Sequence, residues 1–91
     1  MSKTVLREQK GGYKKIAVIT KLDAYNCLIA AVEQGGMSRQ QVLNELEKIR
    51  RMKLPTEKKG LFGTSGFSVE DTDAYMENCE NIIIKNIENI Y

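Results

Sequence analysis

Apolar residues recur at helical spacing in three separate stretches, and this periodicity limits the fold more than anything else in the chain. Val18, Leu22, Tyr25, Ile29 and Val32 step by four, three, four and three positions, which places them on one face of a helix. Val42, Leu46 and Ile49 form a second stripe, and Thr72, Tyr75 or Met76, Cys79, Ile83, Ile87 and Ile90 form a third. The stretches are separated by helix-ending and helix-starting chemistry. Gly35-Gly36 suits a left-handed C-terminal cap. Ser38 with Gln41 spells a capping box, and Ser68 with Asp71 starts the third helix. Leu54-Pro55 stops the second helix, because the residue before proline avoids the α region.

These signals predict an all-α fold of three helices at about 13–34, 39–53 and 69–90, with a loop over 54–67. Residues 1–12 read as a flexible basic arm ahead of a single helical domain over 13–91. Thr4-Val5-Leu6 has strand composition and would add a short N-terminal strand. Two readings of 15–20 stay open. Its β-branched residues suit a strand, with Thr20 and Asp23 capping a shorter helix, and the apolar period favours one long helix. With 91 residues the chain fits one small core, and chains of this size often gain stability by association. Ile82, Ile83, Ile84, Ile87 and Ile90 give the last helix more apolar surface than two short partner helices need. That excess points to a helical homodimer through a face of Tyr75, Met76, Cys79, Ile83, Ile87 and Ile90.

Charge is arranged in blocks. Residues 1–22 carry net +5, residues 23–47 net −3, residues 48–69 net +5 and residues 70–91 net −5. A basic arm and a basic loop facing an acidic last helix suggest pairing within or between chains. The overall charge of +2 names no anionic partner by itself. Lys48, Arg50, Arg51 and Lys53 are nonetheless a candidate nucleic-acid patch, and the Gly-Gly-linked first helices resemble a loose helix-turn-helix. The same cations suit the negative end of a helix without any ligand.

No histidine is present, which excludes Ser-His and Cys-His nucleophile pairs and the usual histidine-containing zinc sites. Cys27 and Cys79 have no CxxC spacing and sit in apolar helical surroundings, so both read as buried thiols. The loop GLFGTSG lacks the GK[ST] ending of a phosphate-binding loop. No catalytic residue, cofactor site or metal site is therefore assigned, and the chain reads as a non-enzyme. The N-terminal residues lack the apolar core of a secretory signal, and no apolar run reaches the ~20 residues of a membrane span. The expected location is cytoplasmic.

A pattern of glycine, an apolar residue, then two apolar positions and an acid repeats three times. Gly12-Tyr13 leads to Val18 and Leu22-Asp23, Gly36-Met37 to Val42 and Leu46-Glu47, and Gly66-Phe67 to Thr72 and Met76-Glu77. Glycine permits a sharp turn, the next residue can staple the first helical turn, and the two later positions face one core. The third copy, GFSVEDTDAYMEN, resembles the N-terminal motif of the DivIVA and GpsB family at Gly66, Phe67, Asp71, Asp73, Ala74, Tyr75 and Met76. It differs in having Ser65 where that motif has arginine, Thr72 where it has valine, and a position near the end of the chain. The resemblance implies a dimeric, coiled-coil bacterial scaffold whose N-terminal domain binds membrane or the tails of partner proteins. It further implies a membrane-peripheral or partner-binding loop at Lys58, Lys59, Leu61, Phe62 and Phe67. The expected function is a non-catalytic interaction or scaffolding module with a protein partner, in the first place itself. The alternatives are a small helical nucleic-acid-binding regulator and a phage-type protein that binds and blocks a host protein.

Overall fold

A computed structural model describes residues 6–58 and 63–90. In chain order the elements are β1 (Glu8–Lys10), α1 (Lys15–Gln34), α2 (Arg39–Arg50), β2 (Ser65–Phe67) and α3 (Val69–Ile90). The three predicted helices are present, and the all-α expectation gains a small sheet. Residues 15–20 are helical, and the Thr20 hydroxyl donates to the Ile16 carbonyl inside α1 rather than capping a new helix. The Ser38–Gln41 capping box forms in both directions. Gly35 closes α1 at φ 79°. α2 ends at Arg50, short of the predicted 53, where Lys21 Nζ donates to the Met52 carbonyl at 3.0 Å as the chain turns away.

The arm reading of residues 1–12 is corrected where the chain is described. β1 pairs antiparallel with β2, Glu8 facing Phe67 and Lys10 facing Ser65. A strand lies at 8–10, and Thr4 and Val5 of the expected N-terminal strand fall outside the described residues. Gly11 turns the chain at φ 73°, a conformation open to glycine, and brings Tyr13 back onto β2. Tyr13 and Phe67 then exchange two backbone hydrogen bonds, both 2.9 Å. On the other side of the same segment, Lys14 N–H donates to Pro55 and Glu57 N–H donates to Gly12. The head of the molecule is thus a backbone-bonded knot of three chain segments from which α1 and α3 emerge.

α1 and α3 run side by side in the same direction. Tyr13 reaches Asp73 early in the pair and Tyr25 reaches Glu80 further along. The first and third copies of the sequence repeat are the two halves of this arrangement. Tyr13 stands opposite Phe67, each directly after the glycine of its repeat, and α1 and α3 each begin three residues after that glycine. Val18 and Thr72 occupy the same step of the repeat and are both fully buried. The pair therefore has approximate two-fold symmetry about an axis through the knot.

α2 breaks that symmetry. It lies along one side of the α1–α3 pair, joined by Val42, Leu46 and Ile49 to the core and by Arg50 to Glu80. The core consists of Val18, Tyr25, Leu28 and Val32 from α1, those three residues of α2, and Met76, Cys79, Ile83 and Ile87 from α3. The first stripe is wider than its heptad spacing suggests. Lys21 and Leu28 are buried along with Val18, Tyr25 and Val32, while Leu22 and Ile29 are only half-buried. α1 contacts two helices at once, so its buried arc is turned toward α2.

Candidate functional site

The side occupied by α2 holds a polar cleft of about 470 Å³ lined by Tyr13, Lys21, Tyr25, Asp73, Glu77 and Glu80 among others. Its groups are spent largely on one another. Tyr13 donates to Asp73 at 2.9 Å, and Tyr25 donates to Glu80 at 2.7 Å. Arg50 adds Nε and Nη2 to the other Glu80 oxygen at 3.0 and 2.8 Å. Burial pushes the Glu80 carboxyl up, but hydrogen bonds from Arg50 and Tyr25 outweigh it and leave it below its ordinary value. Burial, then the bond to Glu80, pushes the Tyr25 phenol well above its ordinary range. Burial lowers Lys21, with Glu80 and Asp73 pulling the other way. Chemically this is a latch tying α1, α2 and α3 together, with every described tyrosine hydroxyl in it used as a donor to carboxylate.

Three cations of the basic cluster have acidic partners within the chain. Lys48 pairs with Glu45, Arg51 with Glu47, and Arg50 with Glu80, at 2.9, 3.2 and 2.8 Å. The acids one helical turn back on α2 and the acidic α3 supply the partners. Lys53 is exposed and makes no ion pair among the described residues. The expected pairing of basic and acidic blocks does occur within the chain, through Arg50–Glu80 and Arg7–Asp71.

The proposed loop falls partly outside the described residues, which include neither Lys59, Leu61 and Phe62 nor the side chain of Ile90. Lys58 is exposed. Phe67 is not displayed as a contact residue. It is half-buried against the core, with Lys15 Nζ 5.6 Å from its ring centroid. The residues expected at a dimer face are corrected as well. Met76, Cys79, Ile83 and Ile87 are each 6% exposed or less because they face α1 within the same chain, and Tyr75 is half-buried. Cys79 is buried as expected, but Cys27 is exposed. It lines an open groove of about 920 Å³ between α1 and α2.

The residues resembling the DivIVA and GpsB motif have structural occupations here. Gly66 and Phe67 build the knot, Asp71 holds Arg7, Asp73 receives Tyr13, and Met76 enters the core. Asp71 is drawn down to about 2 by side-chain and backbone hydrogen bonds from Arg7.

The two flanks of the α1–α3 pair are treated differently. Helical periodicity puts Lys21 and Leu28 on the α2 flank of α1, and Leu22 and Ile29 on the opposite one. It likewise puts Asp73, Glu77 and Glu80 of α3 toward the cleft, and Tyr75, Ile82 and Asn86 away from it. On this open flank Ile19 is 54% exposed and Ile82 is 37% exposed. Leu22, Ile29, Tyr75 and Asn86 are half-buried beneath them, and Asn26 and Asn78 are exposed beside them. α1 is thus apolar on faces that the chain itself does not cover. Sequence reasoning missed Ile19 because it lies off the predicted stripe of Val18, Leu22, Tyr25, Ile29 and Val32. The usable signal was low asymmetry, because an α1 that is apolar on nearly all sides needs cover on nearly all sides.

No protein-family model, curated protein or solved structure matches this chain. Among the described residues no group of histidine, cysteine and carboxylate side chains is placed to hold a metal ion. No described helix is long and apolar enough to cross a membrane.

Proposed function

We propose that this chain is a non-catalytic protein-interaction module. Its working surface is the open flank of the α1–α3 pair, and what it takes is a helical surface of a polypeptide with an uncharged apolar stripe. One observation carries the reading. α2 covers one flank of the α1–α3 pair, and the uncovered flank leaves Ile19 and Ile82 in solvent beside half-buried Leu22, Ile29 and Tyr75. The middle of that flank is uncharged, with Asn26, Asn78 and Asn86 between the apolar residues, and interface centres are similarly poor in charge. The internal pairing of Arg50, Arg51 and Lys48 supports this class over a nucleic-acid-binding one.

The test is chemical protection in the cells that make the protein. Ile82→Cys, in a Cys27→Ser background, should react rapidly with a maleimide in dilute purified protein and slowly in intact cells. Equal reactivity in both settings would end the reading.

A further inference from the structure

We infer that the occupant of the open flank is a second copy of this chain, laid antiparallel so that α1 crosses α1 and α3 crosses α3. This rests on the interaction reading above and adds the partner and its register. Self-association with two-fold symmetry requires a surface whose features pair with themselves, residue i meeting j and j meeting i. With the axis lying across both helices, residues equally far on either side of one level meet each other.

The flank has this property. Ala24 and Asn78 are equivalent positions of the internal repeat and mark the same level on α1 and α3. Lys15 and Glu33 lie nine residues on either side of Ala24, and Asp71 and Lys85 lie seven residues on either side of Asn78. Antiparallel stacking therefore sets Lys15 near Glu33 of the second copy and Asp71 near Lys85 of the second copy, twice each. Ile19 and Ile29 lie five residues on either side of Ala24, so exposed Ile19 meets half-buried Ile29 of the second copy. Tyr75 and Ile82 are almost equally spaced about Asn78 and meet in the same manner.

The helix dipoles favour this orientation over the parallel one. Parallel stacking would place α1 over α3 with their dipoles aligned, Lys15 near the level of Asp71 and Glu33 near that of Lys85. Antiparallel stacking opposes the helix dipoles. α1 needs this most, because it has no acid in its first turn and no base in its last, and Lys15 stands at its positive end. Glu33 and Lys85 make no ion pair among the described residues, while Lys15 already pairs with Glu8 and Asp71 with Arg7, so the contacts between copies extend those two pairs into networks.

The experiment uses the full chain and reads mass by sedimentation from micromolar to submillimolar concentration. A dimer is expected, and Ile19→Asp with Ile82→Asp should raise its dissociation constant by about tenfold or more, since each places a charge in the apolar centre. Circular dichroism of that variant must remain helical, which separates lost association from lost folding. Asn78→Cys in the Cys27→Ser background should form a disulfide dimer under mild oxidation, because Asn78 lies at the axis, while Gln40→Cys on α2 should not. A wild-type chain that stays monomeric throughout overturns the second copy as occupant. The maleimide protection of Ile82→Cys in cells then decides whether a different partner keeps the interaction reading or that reading also fails. A dimer indifferent to both aspartates, or one cross-linked through Gln40→Cys and not Asn78→Cys, overturns the assigned register and face.

Discussion

The amide of Tyr13 donates to the carbonyl of Phe67, and the amide of Phe67 donates back to the carbonyl of Tyr13, each at 2.9 Å. This reciprocal pair joins the start of α1 to the start of α3. It also fixes the near two-fold relation from which the open flank follows. The glycines before each residue make the approach possible. A Cβ on Gly66 would stand 2.1 Å from the Tyr13 carbonyl oxygen, and one on Gly12 would stand 2.2 Å from that of Phe67.

Gly66→Ala should therefore destabilise the fold by about 2–3 kcal/mol, as backbone must move to admit the methyl group. Gly12→Ala should do the same. Gly36→Ala serves as the contrast, because nothing lies within 4 Å of its added Cβ, and it should change stability by less than about 0.5 kcal/mol. Urea denaturation of the three variants distinguishes a steric requirement at the knot from a general preference for glycine.

Arg7 clamps Asp71 with both a backbone and a side-chain donor, holding the carboxyl at about 2 against an ordinary 3.8. A carboxyl lowered in the folded state contributes stability that is complete above the unfolded value. That contribution is lost as pH falls through 3.8 toward about 2. Glu80, also lowered, loses its contribution in the same direction below its ordinary 4.5. Asp71→Asn should flatten the acid limb of the stability–pH curve and leave the neutral region lower but level.

Cys79 is 3% exposed and its thiol is raised by burial and by Glu80, whereas Cys27 lies in the open groove. A thiol reagent should modify one cysteine per folded chain quickly and the second only at the rate of unfolding. Cys27→Ser should abolish the fast phase and Cys79→Ser the slow one.

Most of the secondary structure was legible because it rests on local chemistry. The capping box at Ser38, the glycine stop at Gly35 and the three apolar stripes all act within a few residues. The knot was not legible, because Glu8–Lys10 is polar and exposed, and its strand exists through backbone bonds to a segment far along the chain. Ser68 shows the same limit. Its hydroxyl takes the Asp71 amide as the capping signal predicts, but the Asp71 carboxylate turns outward to Arg7. For the candidate site, the excess of isoleucine was visible and its location was not. Ile83 and Ile87 are buried while Ile16, Ile19, Ile82 and Ile84 are exposed, and only the placement of α2 reveals which of these share an uncovered flank.

The latch at Glu80 predicts a separate response to alkali. Tyr25 and Tyr13 are both raised above the ordinary phenol value of 10.0, first by burial and then by their carboxylate partners. A folded value above the unfolded one gives stability that is present below pH 10 and lost as pH rises beyond it. Spectroscopic titration near 295 nm should show tyrosines that ionise only with unfolding. Tyr25→Phe should remove part of that delayed signal and cost about 1 kcal/mol, one hydrogen bond's worth.

The third copy of the repeat carries threonine where the first two carry valine. Val18 and Val42 are fully buried, and so is Thr72, whose Oγ1 has no hydrogen-bond partner among the described residues. A buried hydroxyl without a partner bears its desolvation cost uncompensated. Valine has nearly the same shape and no polar atom, and the repeat shows that this position accepts it twice. Thr72→Val should therefore stabilise the fold by about 1 kcal/mol, seen as a higher urea midpoint at unchanged slope. Thr72→Ser, which keeps the hydroxyl and deletes the methyl group, should destabilise it. A loss of stability in Thr72→Val would mean that the hydroxyl has a water partner worth more than the desolvation it relieves.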